Sequence, residues 1–256
     1  MPPPESSVDP PSRGTPDLSG RIALVTGAAR RTGRALALAL AESGADVAVH
    51  CHHSREEAED VVRAICERGR RSVLVETDLL EPDRVGDAFA VAAETLGGLD
   101  ILVNNVGTIV WKRLDEHTPE DWKACIDGTL FVTLNATRAA LPFIRERSHG
   151  RVVNILDADA DASTPVPFAT AYKIGKRATW QLTKTLAVAE AAHGITINAV
   201  SPGTLEDSPT KPAIERMPSG RYGRYEDVTA AVLFLASEAA SHINGTQIKV
   251  SGGYLI

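Results

Sequence analysis

The chain predicts a single-domain α/β fold, a doubly wound sheet of seven parallel strands with helices on both faces. Short β-branched and aliphatic runs alternate with longer stretches of strong helix formers, the pattern of successive βαβ units. The runs carry no polar alternation, as strands buried on both faces require. A glycine turn separates the first run from the helix after it. At 256 residues and 43% hydrophobic content the chain has the length and the apolar material for one such sheet.

Residues 1–17, MPPPESSVDPPSRGTPD, are rich in proline and serine. They predict a disordered lead-in and not a signal peptide, because no apolar core follows a basic start. The domain then runs over 18–256. Ile22 to Val25 reads as the first strand, Gly27 breaks it, and Ala35 to Glu42 reads as a helix. Gly44 and Ala45 end that helix, and Asp46 to His50 opens the second strand. Strands are expected near 21–26, 46–51, 72–77, 99–104, 151–156, 195–200 and 247–250, with helices between them that include about 119–147 and 170–193. Between Gly203 and Gly220 the stretch TLEDSPTKPAIERMPS holds three prolines and few apolar residues. It predicts a short lid at about 204–219 in place of a pair of long helices, and a relatively open pocket. Glu206 and Asp207 put negative charge at its entrance, which favours a basic or amine-bearing ligand. There is no internal repeat and no second domain.

The chemistry is concentrated in two places. Tyr172 and Lys176 in AYKIGK stand four residues apart, on one face of a helix. An ammonium beside a phenol favours the phenolate, so the tyrosine's pKa is expected to fall from about 10. A phenol tuned that way donates or accepts a proton near neutral pH. Upstream, strand, glycine turn, helix and strand form a βαβ unit of the dinucleotide-binding kind. The helix N-terminus there offers free N–H groups and a positive dipole end to a pyrophosphate.

The end of the second strand selects the dinucleotide. NAD enzymes place Asp or Glu about 20 residues past the glycine turn to hold the ribose hydroxyls. Here the sequence is His50, Cys51, His52, His53, Ser54, Arg55, with no acid before Glu56. Hydroxyl, imidazole and guanidinium donate to a 2′-phosphate that a carboxylate would repel, which points to NADPH/NADP+. Arg30 and Arg31 in the turn add two phosphate-matching guanidinium groups. A metal site is not expected, since only His50 and His52 of this cluster share a strand face and no second cluster completes a ligand set.

From Leu18 to Ile256 the chain resembles the short-chain dehydrogenase/reductase family, whose motifs occur in order: TGAARRTG (Thr26–Gly33), Asp78 in ETDL, NNVG (Asn104–Gly107), RVVNILD (Arg151–Asp157), Tyr172 with Lys176, INAVSPG (Ile197–Gly203) and a closing FLASEAASHINGTQIKVSGG. The resemblance implies a Rossmann fold and an oxidoreductase. It implies cofactor contacts at Gly27, Arg30, Arg31, Thr32 and Gly33 in the turn, and at His52, His53, Ser54 and Arg55 after the second strand. Further along it implies Asp78, Leu79, Asn105, Val106 and Gly107, then Tyr172, Lys176, Pro202, Gly203 and Thr204. Tyr172, Lys176, Asp157 and Thr129 are the implied catalytic group, and Asp157, Asp159, Trp111, Phe168 and Glu206 the substrate contacts.

Departures from the family pattern narrow the reading. The usual turn is TGxxxGxG, but Arg31 replaces the middle glycine, as in pteridine reductases. Asp157 stands where most members end the fifth strand with serine, and pteridine reductases resemble this chain in that aspartate too. An acid there can hold a proton donor and bind an N–C–N amidine edge. The run from Asp157 to Tyr172 is longer than the family's usual spacing, so Asp159 is the alternative occupant. Thr129 aligns with an asparagine that holds a water in the family's proton relay. Ile109 stands where pteridine reductases stack an aromatic on the pterin, and Trp111 is a candidate substitute.

A net charge of −6 gives no general attraction to nucleic acid, and no stretch of 18 apolar residues predicts a membrane span. Three unpatterned cysteines fit a reducing cytoplasm. The resemblance implies a homotetramer acting on a small molecule. The expected function is NADPH-dependent reduction of a C=N or C=O bond in a small heterocyclic substrate. The alternatives are a tailoring reductase of an imine, iminium or hemiaminal intermediate in specialised metabolism, and a non-enzymatic NADPH-binding sensor.

Overall fold

A computed structural model of the protein describes residues 16–255. Most of the expected disordered lead-in, residues 1–15, lies outside the described residues. Seven strands form one parallel sheet: β1 (Ile22–Val25), β2 (Asp46–Cys51), β3 (Ser72–Glu76), β4 (Ile101–Asn104), β5 (Arg151–Ile155), β6 (Thr196–Pro202) and β7 (Gln247–Val250). Their spatial order is β3-β2-β1-β4-β5-β6-β7, with every pair parallel. All seven fall where the apolar runs predict them. β6 extends past the expected end because Ser201 and Pro202 remain in register with Lys249 and Val250 of β7.

The helices are α1 (Arg31–Glu42), α2 (Arg55–Glu67), α3 (Pro82–Leu96), α4 (Pro119–Ile126), α5 (Val132–Arg145), α6 (Thr170–Glu190) and α7 (Tyr225–Ala236). α1, α2 and α7 cover one face, where Leu36, Leu40, Val61, Ile65 and Val232 pack on Val25, Val49 and Val153. α3 and α5 cover the other, where Phe89, Leu96, Ala140 and Ile144 pack on Leu24, Leu102 and Val152. β1, β2, β4 and β5 are buried throughout, which is why they read as unbroken apolar runs. Removing the fully buried Phe89 side chain would cost about 3–5 kcal/mol.

The helix expected over 119–147 is interrupted. Asp127–Phe131 winds as a π-helical segment between α4 and α5, a rare geometry found mostly at functional sites. Small residues let the segment approach its neighbours closely. A Cβ on Gly128 would meet Thr108 Oγ1 at 2.2 Å, and one on Gly175 of α6 would meet Thr129 Oγ1 at 1.9 Å. The wide turn thus presses against both the loop after β4 and α6. Below it a buried polar chain ties α6 to the sheet. Asn104 Nδ2 donates to Asn154 Oδ1 at 2.8 Å, and Asn154 Nδ2 donates to Thr183 Oγ1 at 2.9 Å.

Strand order reverses between β1 and β4, which opens a crevice at their carboxyl ends, where open α/β sheets bind ligands. Between β6 and α7 the expected lid holds one short 3-10 turn, Ile214–Arg216, and no long helix. Among the described residues no helix is long and apolar enough to cross a membrane.

Candidate active site

The turn after β1 is shaped by backbone contacts that exclude side chains. Gly27 has φ +61°, and a Cβ there would lie 3.0 Å from Val106 Cγ2. A Cβ on Gly33 would fall 2.1 Å from the Gly27 carbonyl oxygen and 2.7 Å from Asn105 Nδ2. Only glycine lets α1 close on the turn. Asn105 locks it from β4, donating from Nδ2 to the carbonyls of Thr26 at 3.1 Å and Gly27 at 3.2 Å.

His50, considered only as a metal ligand in the sequence, holds the same turn from β2. Its Nδ1 accepts the Gly27 N–H at 3.1 Å, and its Nε2 donates to the Thr77 carbonyl at 3.1 Å. Burial pushes its pKa down to about 4, so the ring is the neutral strut this pairing needs. A lone histidine in an apolar strand was the available signal. Among the described residues no group of three His, Cys, Asp or Glu side chains is placed to hold a metal.

A cleft of about 640 Å³ runs from Gly27 and Arg30 past His52, His53, Ser54, Asp78 and Leu79 to Val106, Thr108 and Gly128. The His52 and His53 rings stack at 3.5 Å, and His52 Nε2 lies 3.9 Å from Asp78 Oδ2. Arg30 lines this wall, its guanidinium paired with Glu57. Two arginines expected there point elsewhere. Arg55 is drawn out to Glu59 at 2.8 Å, one helical turn away, and to Glu76 of β3 at 2.5 Å. Arg31 Nε donates to Asp207 Oδ2 at 2.8 Å and its Nη2 to the Asp207 carbonyl at 3.0 Å. Tyr225 O–H donates to the same carboxylate. Arg31 nonetheless has a left-handed backbone, φ +51°, a conformation that favours glycine.

At the other end of the crevice α6 presents Tyr172 and Lys176. Lys176 Nζ lies 5.8 Å from the centre of the Tyr172 ring and donates to the Ile155 carbonyl at 2.7 Å. Gly107 makes room for it, since a Cβ there would sit 3.2 Å from that nitrogen. The expected fall in the phenol's pKa is reversed. Burial and then the Asp157 and Asp159 carboxylates push Tyr172 well above its ordinary value. Burial also presses the Lys176 ammonium down to about 8, against the pull of Asp157, so it still carries its proton at neutral pH. Thr129 sits beneath α6 in the π-helical segment, fully buried, with its hydroxyl donating to the Cys125 carbonyl at 2.6 Å.

The choice between Asp157 and Asp159 is not an either/or. Lys173, next to Tyr172, bridges them, with Nζ 2.7 Å from Asp157 Oδ2 and 2.8 Å from Asp159 Oδ1. Asp161 pairs with Lys249 of β7 at 2.8 Å. Every acid of the DADAD run therefore has a cation, and the run is not a solvated loop. Asp157 acts on both Tyr172 and Lys176, whereas Asp159 acts on Tyr172 alone and more weakly. Sequence reasoning passed over Lys173; a cation placed directly after the tyrosine and facing two aspartates was its signal.

An exposed aromatic pair stands just before α6. The Trp111 and Phe168 rings stack at 6.3 Å and 18°, and both are about half exposed, as is Ile109. The main chain joins them, because Arg113 pairs with Phe168 in an isolated β-bridge. Pro202 and Gly203 close the floor, with a Cβ on Gly203 only 2.9 Å from Ser251 Cβ. Negative charge at the lid, expected from Glu206 and Asp207, is offset by arginines. Glu206 pairs with Arg224 at 3.2 Å and Asp207 with Arg31.

Known proteins share this sequence pattern and fold. The family described as enoyl-(acyl carrier protein) reductase matches residues 27–255. The 3-oxoacyl-[acyl-carrier-protein] reductase of Synechocystis sp. is 33% identical over 245 residues, covering 93% of this chain and 98% of that protein. The 3beta-hydroxysteroid dehydrogenase 1 of Eggerthella lenta is 34% identical over 248 residues, covering 93% of this chain and 94% of that protein. A solved short chain dehydrogenase from Burkholderia cenocepacia, in complex with NADP, superposes with a TM-score of 0.86 at 35% identity, covering 92% of this chain and 98% of that one. The similarity spans nearly the whole domain, and the chain belongs to the short-chain dehydrogenase/reductase family of oxidoreductases.

Proposed function

We propose that the protein is an NADPH-dependent reductase that adds hydride to a C=N or C=O bond of a small heterocyclic substrate, in the manner of the pteridine reductase-like branch of its family. The observation that carries this reading is Asp157, a carboxylate where most members have serine, close enough to Tyr172 and Lys176 for its charge to act on both.

The cradle suits a dinucleotide phosphate. Gly27 and Gly33 keep side chains out of the contact between the turn after β1 and the first turn of α1. Arg30, His52, His53 and Ser54 line the cleft at the end of β2 with donors, and Asp78 stands in the same wall beside His52. NADPH, when bound, supplies the hydride. The rest of the reaction falls to the protein. Tyr172, kept protonated at neutral pH by burial and the two carboxylates, is the proton donor to the substrate's heteroatom. Lys176 keeps positive charge beside the phenol as that proton leaves. Asp157 binds the nitrogen side of the substrate, and the Trp111–Phe168 pair takes its planar apolar face. Thr129 holds the π-helical segment against α6.

A plain carbonyl substrate is the second reading. It is favoured by the Tyr172–Lys176 pair, which serves C=O as well as C=N, and by the names of the bacterial relatives. Hydride transfer from NADPH to a dihydropterin, a cyclic imine and a simple ketone separates the two. Turnover of the ketone alone, unaffected by Asp157→Ala, would overturn the first reading.

A further inference from the structure

We propose that Lys173 is a specificity-determining positioning residue, which fixes Asp157 as the acceptor for an N–H group of a cationic substrate, and that Asp159 serves to hold Lys173. This inference rests on the reading of Asp157 as a substrate contact.

The Lys173 side chain is 12% exposed, and its ammonium lies 2.7 Å from Asp157 Oδ2 and 2.8 Å from Asp159 Oδ1. Asp157 Oδ1 in turn accepts the N–H of Ala158 at 2.8 Å. Both oxygens of Asp157 are thus tied to fixed donors, which sets the plane of the carboxylate. Each oxygen keeps a second lone pair, so the group is an acceptor held in one orientation. Charges in the order minus, plus, minus sum to one negative charge, and the Lys176 ammonium beside Tyr172 offsets it. What selects the substrate is therefore the fixed acceptor itself, which takes an N–H from an iminium or a protonated amidine edge. It gives no help to a neutral carbonyl oxygen, which offers only lone pairs. The same turn of α6 carries the proton donor and, one residue on, the clamp on its neighbour, so the helix register sets both at once.

Without Lys173 two largely buried carboxylates would face one another. One would have to swing away or draw in a cation from solvent, because unpaired like charges cannot share such a site. In either case Asp157 loses its fixed acceptor geometry.

Steady-state kinetics of the full chain with NADPH, on a cyclic iminium and on a cyclic ketone of the same ring size, test this. Lys173→Met is expected to lower kcat/KM on the iminium by roughly ten- to a hundredfold, the size of one charge-assisted contact, mainly through KM. Ketone turnover and NADPH affinity should stay near wild type. Lys173→Arg should restore most of the loss, and Lys173→Met should add nothing in an Asp157→Ala background. If Asp157→Ala costs iminium turnover while Lys173→Met does not, the inference falls and the reading of Asp157 stands. If Asp157→Ala changes neither substrate, both fall. An equal loss on both substrates that arginine does not rescue would mark Lys173 as merely structural and overturn the inference. Should Lys173→Met fail to fold, Asp159→Asn decides the matter: a loss confined to the iminium supports the clamp, and no loss refutes it.

Discussion

Arg31 and Asp207 bridge the first turn of α1 and the segment after β6, with Nε to Oδ2 at 2.8 Å, and Arg31 reaches across from a left-handed backbone at φ +51°. A non-glycine residue held there costs about 1–2 kcal/mol. The pair that replaces glycine's freedom is half exposed and worth roughly 0.2–1 kcal/mol. Arg31→Gly should therefore leave the melting temperature within a few degrees of wild type. Arg31→Ala loses the pair and keeps the strain, so it should melt below Arg31→Gly, the reverse of the ordinary helix ranking of these residues. Equal stability of the two variants in thermal unfolding would show that the left-handed turn is not maintained.

Cofactor preference should follow the cleft wall and not the count of nearby arginines. Arg30, paired with Glu57, still lines the cleft with His52, His53 and Ser54, while Arg31 and Arg55 turn out of it to Asp207, Glu59 and Glu76. NADPH should bind more tightly than NADH, and Arg30→Ala or Ser54→Ala should erode that preference by roughly ten- to a hundredfold. Arg55→Ala should leave it unchanged. Equal dissociation constants for the two cofactors, measured by calorimetry on the wild type, would refute the assignment.

The contrast between Arg30 and Arg55 marks how far the sequence could be read. The sheet was legible because strands buried on both faces leave unbroken apolar runs, and each such run became a strand. The glycine turn was legible because steric exclusion at Gly27 and Gly33 tolerates no other residue. Where a long side chain points was not legible. Arg55 obeys a glutamate one turn along its own helix and another on β3, and Arg31 obeys a residue far away in the chain. The π-helical segment was not legible either; it lies where Thr129 packs closely on Gly175 of another helix, a contact between residues distant in sequence. Tyr172 was placed correctly in sequence but its pKa was not, because burial and two carboxylates outweigh one lysine.

His50 makes stability depend on pH. Its pKa falls from 6.5 to about 4 through burial, so between those values the unfolded chain binds a proton that the folded chain refuses. Stability then rises with pH across that window, and it is lost as pH falls from 6.5 toward 4, by up to about 3 kcal/mol. His50→Gln keeps a polar side chain that does not titrate. Urea unfolding at pH 4 to 7 should show a flatter pH dependence for the variant, and identical profiles would dismiss the linkage.

Assembly is expected to involve α6. Val188 is 80% exposed and Ile174 40% exposed on that helix, and Phe131 is 44% exposed beside it. Ala178, Leu182, Leu186 and Ala189 recur at helical spacing and are only partly covered. We propose that these surfaces pair in a homotetramer. Light scattering at micromolar concentration should report the tetramer mass, with Val188→Glu shifting it downward; a monomer mass for the wild type would overturn the proposal.

Tyr172→Phe removes the proposed proton donor and should lower kcat by about 10²–10⁴ with little change in NADPH affinity. Lys176 offers a second and less obvious readout. Burial lowers its pKa from 10.5 to about 8, so holding the ammonium in the folded protein at neutral pH costs about 3 kcal/mol. Between about pH 8 and 10.5 the unfolded chain keeps a proton that the folded chain has released, and stability rises with pH through that range. Lys176→Met abolishes the cost and the slope together, less about 1 kcal/mol for the Ile155 carbonyl left without its donor. The variant should be inactive, more stable than wild type at pH 7, and without that advantage at pH 10.5. A Lys176→Met protein less stable than wild type at pH 7 would mean that the ammonium is not a burden the fold carries for catalysis.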